Sequence, residues 1–288
     1  MDWPEDLILE LARKRCVVFL GSGISANATD VDGNHPPTWS KFLEDGNGIV
    51  AEPEHSIIEK CISNYEYLMA CELLRKQLGN DSFDDLLKKE FCGNGFSPAD
   101  IHKYIFSLDS RITITPNFDK IYDNYAQTKS QSTVVLKHYY DNDIAKYLRG
   151  RNSVIIKNHG SIDKTDKIIF TQADYAKARI ENSDFYKIME ALILTHTFVF
   201  LGAGLNDPDI KLLFENYAMM FQLSKSHYFV IPNDCYSDLE LNVYSETRHL
   251  KFIKYDPADN HKELTEGLKD LAQKVEDKKD EVRDNTWW

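Results

Sequence analysis

The sequence contains few cysteines, and none has the spacing of a zinc site. Its 288 residues include five cysteines, an odd number, without a C-x-x-C pair. No H-E-x-x-H or similar run of metal ligands is present either. The cysteines lie mostly among apolar neighbours, at Cys16, Cys61, Cys71, Cys92 and Cys235. This usage predicts reduced core thiols in the cytoplasm, with neither disulfides nor a bound metal.

The sequence also has no hydrophobic run long enough to span a bilayer. Its most apolar window, ALILTHTFVFLGAGL, is interrupted by Thr195, His196 and two glycines. It is shorter than the roughly 20 residues that a membrane helix needs. The N-terminal run MDWPEDLILELARKR is acidic first and basic last, the reverse of a signal peptide. We therefore expect a cytoplasmic protein that does not contact membranes.

The sequence has fewer positively charged than negatively charged residues. Asp and Glu number 46 against 34 Lys and Arg, a net charge of −12. This balance disfavours direct binding of nucleic acid, which needs a broad basic surface. Any phosphate group must therefore be bound by a local site. The 42% hydrophobic content is sufficient for the core of a large α/β domain.

Seven short runs rich in β-branched residues alternate mostly with helical patterns, which is typical of an α/β protein with a mainly parallel sheet. The runs are Cys16–Leu20, Arg111–Thr115, Thr133–Lys137, Ser153–Lys157, Thr197–Leu201, His227–Ile231 and Lys251–Tyr255. About 90 residues separate the first two, too many for one crossover. We therefore predict a Rossmann-like sheet with a small helical subdomain inserted after the first strand, at about residues 47–100, over one end of the sheet.

The last part of the chain has a different composition. From residue 262 onward, four apolar residues fall on one helical face before the sequence becomes strongly charged and ends in Trp287 and Trp288. They are Leu264, Leu268, Leu271 and Val275. We therefore divide the chain into a main domain at 1–261 and a charged helix and tail at 262–288. The tryptophans are candidates for an interface, and a frayed tail is an equally good interpretation.

Four polar or glycine-containing motifs each follow a predicted strand. They are GSGIS at 21–25, TPNFD at 115–119, KNHGSI at 157–162 and GAGLNDPDI at 202–210. The carboxyl ends of parallel strands share one edge of a sheet, where ligands bind in such folds. We therefore expect the four motifs to converge on one site. The first, G-x-G after a strand, suits the approach of a pyrophosphate to unpaired backbone N–H groups.

Each motif also has a purely local explanation. Glycine turns serve plain chain reversal. Asn117 could cap the following helix, with Asp119 in its first turn. His159 could be a hydrogen-bonded structural residue, and Asp207 with Pro208 is a good helix start in any case. The conjunction of all four motifs is what favours a functional site.

The order G-S-G-x-S, N-x-D, H-G and a second glycine turn resembles the sirtuins, from about Cys16 to Asp256. The residue sequences TPNFD, KNHGSI and GLNDPDI most resemble those of the bacterial sirtuin-like domains of antiphage defence. This resemblance implies NAD as the substrate and Asn117 and His159 as the catalytic residues. It further implies binding of NAD by a larger set of residues, comprising Gly21, Ser22, Gly23, Ser25, Asp119, Gly202, Gly204, Asn233 and Tyr255.

Two departures from the sirtuins disfavour peptide deacylation. The segment between Gly160 and Gly202 has no cysteine, so the zinc ribbon of the deacylases is missing. The run SIDKTDKIIFTQADY after H-G also does not resemble the strand that pairs with an acylated peptide. The sequence therefore predicts an NAD glycohydrolase. An ADP-ribosyltransferase and a non-catalytic NAD or ADP-ribose sensor remain the alternatives.

The resemblance also predicts control of the enzyme by assembly. An unregulated NAD hydrolase would deplete a metabolite that its host needs. We expect a homo-oligomer, a second defence protein that could itself bind nucleotides, or both, to keep the enzyme silent until infection. Whether NADP is also accepted is left open by the sequence.

Overall fold

A seven-stranded parallel sheet forms the centre of the protein, in a computed structural model that describes residues 1–92, 95–205 and 207–285. The strands are β1 (Cys16–Leu20), β2 (Ile112–Thr115), β3 (Val135–His138), β4 (Val154–Lys157), β5 (Thr197–Leu201), β6 (His227–Pro232) and β7 (Leu250–Tyr255). Their order is β3-β4-β2-β1-β5-β6-β7, and every neighbouring pair is parallel. The predicted α/β, Rossmann-like class is confirmed, and each predicted run contains most of one strand.

The order of the strands places a crevice at the carboxyl end of β1. From β1 the chain proceeds to β2 on one side, and it later returns with β5 on the other side. This reversal is the switch point at which open parallel sheets bind ligands. Because all seven strands are parallel, the turns after β1, β2, β4 and β5 lie at one edge of the sheet. We call this the carboxyl edge.

Helices cover both faces of the sheet. They are α1 (Glu5–Ala12), α2 (Ser22–Ser25), α3 (Trp39–Asn47), α4 (Glu54–Ser63), α5 (Tyr67–Cys92), α6 (Asp100–Ser107), α7 (Ile121–Lys129), α8 (Ile144–Arg149), α9 (Gln172–Glu181), α10 (Ser183–Thr195), α11 (Pro208–Met220), α12 (Asp238–Arg248) and α13 (Ala258–Asn285). Buried residues of α1, α6, α7 and α13 form one core with the sheet. Buried residues of α8 to α12 form a second core with its other face. The alternation of side chains along the strands supplies both cores.

The helices between β1 and β2 form a third apolar cluster beside the carboxyl edge. Side chains of α3, α4 and α5 pack there against Phe118, which follows β2, and Phe170, which precedes α9. The ring centroids of Phe118 and Phe170 are 5.1 Å apart, and that of Phe42 in α3 is 5.2 Å from Phe170. Arg75 of α5 donates to Asp174 of α9 at 2.9 Å. The predicted helical subdomain therefore lies over this end of the sheet.

The last helix packs onto the main core. The four apolar side chains predicted on one face of α13 are all buried, against α1 and α6. Trp3 donates its indole N–H to the carbonyl oxygen of Gly267 at 2.9 Å. Trp287 and Trp288 lie outside the described residues. Within the part of the chain that is described, no helix is long and apolar enough to cross a membrane. All five cysteines are free, three of them buried and two exposed.

A buried histidine at the start of β6 predicts acid sensitivity. His227 is 2% exposed, and its Nδ1 accepts from the backbone N–H of Phe198 at 3.1 Å. Burial, reinforced by His249, lowers the pKa of His227 to about 3, from an ordinary value of 6.5. The unfolded chain therefore binds a proton that the folded protein excludes. His227 should lower the free energy of unfolding as the pH falls from 6.5 towards 3, by about 2–3 kcal/mol between pH 7 and 4.5.

The variant His227→Asn tests this expectation. Its side-chain oxygen can replace Nδ1 as the acceptor, and it does not titrate. The stability advantage of the wild type over His227→Asn should shrink by about 2–3 kcal/mol between pH 7 and 4.5. Urea unfolding at several pH values measures this difference. Parallel pH curves for the two proteins would contradict the prediction.

Candidate active site

The two glycine turns at the carboxyl edge are packed backbone against backbone. Gly21 donates its N–H to Leu201 O and Gly23 donates to Gly202 O, both at 2.9 Å. A Cβ atom on Gly21 would lie 2.3 Å from Gly202 O. Gly202 itself has φ of +60°, in the left-handed region that favours glycine. The glycines thus allow the turns after β1 and β5 to touch, and the N–H groups of Gly21 and Gly23 already have acceptors in the protein, so neither is an unpaired donor for a pyrophosphate.

Asn117 joins the turn after β2 to the turn after β1. Its Nδ2 donates to Gly21 O at 3.0 Å and to Ser25 Oγ at 2.9 Å. Ser25 in turn donates to Asp119 Oδ2 at 2.7 Å, and the other oxygen of Asp119 accepts from the N–H of Ile121. Three predicted site residues therefore form one hydrogen-bonded group. These bonds fix the orientation of the Asn117 amide, and its Oδ1 has no hydrogen-bond partner among the described residues.

A buried lysine binds the backbone of this hydrogen-bonded group. Lys157, the last residue of β4, is fully buried, and its Nζ donates to the carbonyl oxygen of Asp119 at 2.5 Å and to Asp123 Oδ2 at 2.8 Å. Burial raises the pKa of Asp123, and the neighbouring Lys157 opposes that shift. The ammonium group of Lys157 thus ties the turn after β2 to the end of β4.

His159 lies in the turn that follows β4. The next residue, Gly160, has φ of +86°, and a Cβ there would meet Lys167 O at 2.5 Å. The histidine ring is only 2% exposed, and its edge faces the start of α11. Burial alone would lower the pKa of His159, but the charges of Asp207 and Asp209 outweigh burial and raise it above its ordinary value. The His159 ring is therefore shielded from solvent and is electrostatically coupled to Asp207 and Asp209.

Unpartnered polar atoms are concentrated at this edge. Among the described residues, seven buried side-chain nitrogen or oxygen atoms have no hydrogen-bond partner. Four of the seven belong to the turns after β2 and β4, namely Asn117 Oδ1, Asn158 Oδ1, His159 Nε2 and Ser161 Oγ. Burying a polar atom without a partner costs about 1–3 kcal/mol, so native proteins seldom keep several together. Such a cluster is typical of a site that binds a polar ligand.

The other predicted binding residues are distributed more widely. Ser22 and Gly204 are exposed, and open space surrounds the Cα of Gly204. Asn233 is exposed after β6, and its N–H donates to Tyr255 O at 2.8 Å. The Tyr255 side chain is buried in the core beside α13, with its hydroxyl 2.9 Å from His261 Nδ1. The contacts of Asn233 and Tyr255 thus join these two residues to each other, apart from the Asn117 group, and their roles remain predictions.

Several residues of the site were not identified from the sequence. Lys157, Asn158 and Ser161 flank His159 within the quoted KNHGSI motif, and Asp209 follows Asp207 in GLNDPDI. The one available signal was a polar residue at the end of an otherwise apolar strand, as Lys157 is. Within residues 1–92, 95–205 and 207–285, no group of three or more His, Cys, Asp or Glu is placed to bind a metal ion.

A parallel α/β sheet with a polar, partly unsatisfied cluster at its switch point defines a Rossmann-like protein with a candidate nucleotide site. Residues 111–253 match the family model described as SIR2-like domain. The chain therefore contains a SIR2-like domain, as its motifs predicted. The matched segment includes the turns after β2, β4, β5 and β6.

Curated relatives extend the similarity over most of the chain. Defense-associated sirtuin 2 of Bacillus subtilis is 25% identical over 248 residues, which are 83% of this chain and 23% of that protein. NAD(+) hydrolase ThsA of Bacillus cereus (strain MSX-D12) is 20% identical, over 95% of this chain and 57% of the relative. NAD(+) hydrolase ThsA of Enterococcus faecium is 24% identical, over 92% and 56% respectively. The chain thus spans little more than half the length of these relatives at most.

Proposed function

We propose that this protein hydrolyses NAD to nicotinamide and ADP-ribose as part of antiphage defence. The observation that carries the proposal is the set of unpartnered buried polar atoms in the turns after β2 and β4, namely Asn117 Oδ1, Asn158 Oδ1 and Ser161 Oγ, in the same turns as Asn117 and His159. A dinucleotide and a water molecule have the hydroxyl, amide and phosphate groups that such atoms bind. The relatives named NAD(+) hydrolase ThsA support NAD as this ligand.

The reaction breaks the bond between nicotinamide and C1′ of the ribose. Nicotinamide leaves as a neutral molecule from a cationic ring, so no strong general acid is required. Water attacks C1′ and loses a proton, giving ADP-ribose, nicotinamide and one proton. The site must therefore orient the water and stabilise an oxocarbenium-like ribose.

Asn117 and His159 have complementary roles in this proposal. The free Oδ1 of Asn117 accepts a hydrogen bond from the attacking water or from a ribose hydroxyl. His159 takes the proton, which suits an imidazole because it titrates near neutral pH. The bonds from Asn117 to Gly21 and Ser25 hold its amide in one orientation, so the water meets a fixed acceptor.

We further propose that assembly controls the enzyme. Self-association, a second defence protein, or both together would keep it inactive until infection. Co-purification and sizing of the protein, alone and with the proteins encoded beside it, test this part. A fully active monomer that binds none of these neighbours would contradict the proposed control by assembly.

The experiment on function uses NAD labelled in its adenine ring. We expect labelled ADP-ribose to appear free in solution together with one equivalent of nicotinamide, in the presence of the activating neighbour if not alone. Label attached to a macromolecule would indicate a transferase instead. Thermal stabilisation by NAD without any cleavage would indicate a sensor. The absence of both thermal stabilisation and cleavage would contradict the proposal.

A further inference from the structure

Two aspartates of the segment that starts α11 face the imidazole of His159. Asp209 Oδ2 lies 3.6 Å from His159 Nε2, and Asp207 Oδ2 lies 3.8 Å from it. These distances are slightly longer than hydrogen bonds, so Nε2 has no formal partner although it is buried. An opposite charge this close is sufficient to change the protonation of a histidine.

Each aspartate is itself held in place. Asp209 Oδ1 accepts two hydrogen bonds from Arg179, at 2.8 and 3.0 Å, and its Oδ2 accepts from the hydroxyl of Tyr186 at 3.0 Å. Burial alone would raise the pKa of Asp209, but His159 and Arg179 lower it. Asp209 is therefore ionised at neutral pH.

Asp207 begins α11. Its Oδ1 accepts from the backbone N–H groups of Asp209 and Ile210, and its Oδ2 accepts from the hydroxyl of Tyr175 at 3.2 Å. The oxygen of Tyr175 lies 3.5 Å from His159 Nδ1. Because the tyrosine proton is directed to Asp207, the lone pairs of its oxygen are available towards Nδ1. Both nitrogens of the ring thus face acceptors.

We propose that Asp207 and Asp209 are positioning residues for His159, holding a hydrogen on Nε2 and stabilising the imidazolium that forms when Nδ1 accepts a proton. Arg179 of α9 is a cation that opposes this effect, and its charge is partly neutralised by Asp209. Tyr175 stays neutral, because burial followed by the neighbouring carboxylates raises its pKa. The catalytic consequence rests on the proposed NAD hydrolysis, whereas the coupling of the three side chains does not.

The coupling has a definite sign. Removing one carboxylate charge should lower the pKa of His159, because less opposite charge then offsets the effect of burial. If His159 is the base, the cleavage rate rises with pH as the ring loses its proton. The acidic limb of the pH–rate profile should then move to lower pH, by about one unit, when a carboxylate is neutralised.

The primary test is Asp207→Asn. Asparagine caps a helix as well as aspartate does, so this variant removes the charge and keeps the start of α11. Asp209→Asn is the second variant, and it should lower the pKa of His159 at least as far because it also leaves Arg179 without its anion. Asp184→Asn, in the first turn of α10 and exposed, is the matched control. Thermal unfolding verifies that each variant is folded.

NMR titration of the histidine rings measures the pKa directly in the full-length protein. The signal of His159 is assigned as the one missing from His159→Gln. We expect its midpoint to fall by about one unit in Asp207→Asn and in Asp209→Asn, and to stay unchanged in Asp184→Asn. Unchanged midpoints in both folded variants would overturn the inference.

The two readouts separate this inference from the proposed function. A shifted NMR midpoint in proteins that never cleave NAD would support the coupling and contradict the function. Retained NAD cleavage with an unshifted midpoint would support the proposed function and contradict the coupling. A parallel shift of the midpoint and of the pH–rate profile would support both.

Discussion

Replacing His159 by alanine is expected to reduce the rate of NAD cleavage by about three orders of magnitude or more. The loss is that large because a base acting together with its positioning groups is removed as a unit. Asn117→Ala should have a similar effect, since it removes the free Oδ1 and both bonds that fix it. Release of nicotinamide, measured at saturating NAD, gives the rates.

His196→Ala is the matched control for this prediction. His196 precedes β5, at the opposite edge of the sheet, and its Nδ1 is 2.9 Å from Thr195 Oγ1. Its removal should change the cleavage rate little. Thermal unfolding of all three variants separates a catalytic loss from a loss of structure. Full activity in either folded site variant would refute the assignment of that residue.

Lys157→Met is expected to reduce the free energy of unfolding by about 3–5 kcal/mol, because it leaves a buried carboxylate without its cation. Asp123 is 1% exposed and has Lys157 at 2.8 Å. The carbonyl oxygen of Asp119 would lose its donor as well. Urea unfolding near neutral pH, where Asp123 is expected to be charged in the unfolded chain, measures the loss.

A double variant tests the physical cause. Lys157→Met combined with Asp123→Leu removes both charges, so it should be more stable than Lys157→Met alone. Lys187→Met is the control, since its partner Asp184 is exposed and such pairs contribute little. A double variant no more stable than the single would show that the buried charge is not what the lysine compensates.

Much of the fold could be predicted because its signals are local. A run of about five residues rich in apolar and β-branched side chains, followed by a helical pattern, is typical of a buried parallel strand. All seven strands were found in this way, although β3 begins at Val135, two residues after the predicted start. The helical subdomain and its position over one end of the sheet were predicted from the length of the segment between β1 and β2, and the structure shows that this end is the carboxyl edge.

The candidate site could be predicted only in part. Asn117, Ser25 and Asp119 were identified together, and they form one hydrogen-bonded group. Asp207 was interpreted as a helix cap, which it is, but its second oxygen also faces His159. One aspartate can do both because a carboxylate has two acceptor oxygens. Nothing in the local pattern around Asp207 indicates what the second oxygen meets.

The sequence by itself determined the parallel sheet and the edge at which its polar motifs meet, because strand patterns and the direction of parallel strands are properties of short segments. Only the tertiary structure decided which groups touch at that edge. The contacts of Gly21 with Gly202, of Lys157 with Asp123, and of His159 with Asp209 join residues from different turns and helices. Their energies come from burial and from distances of a few ångströms, and those exist only once the chain is packed.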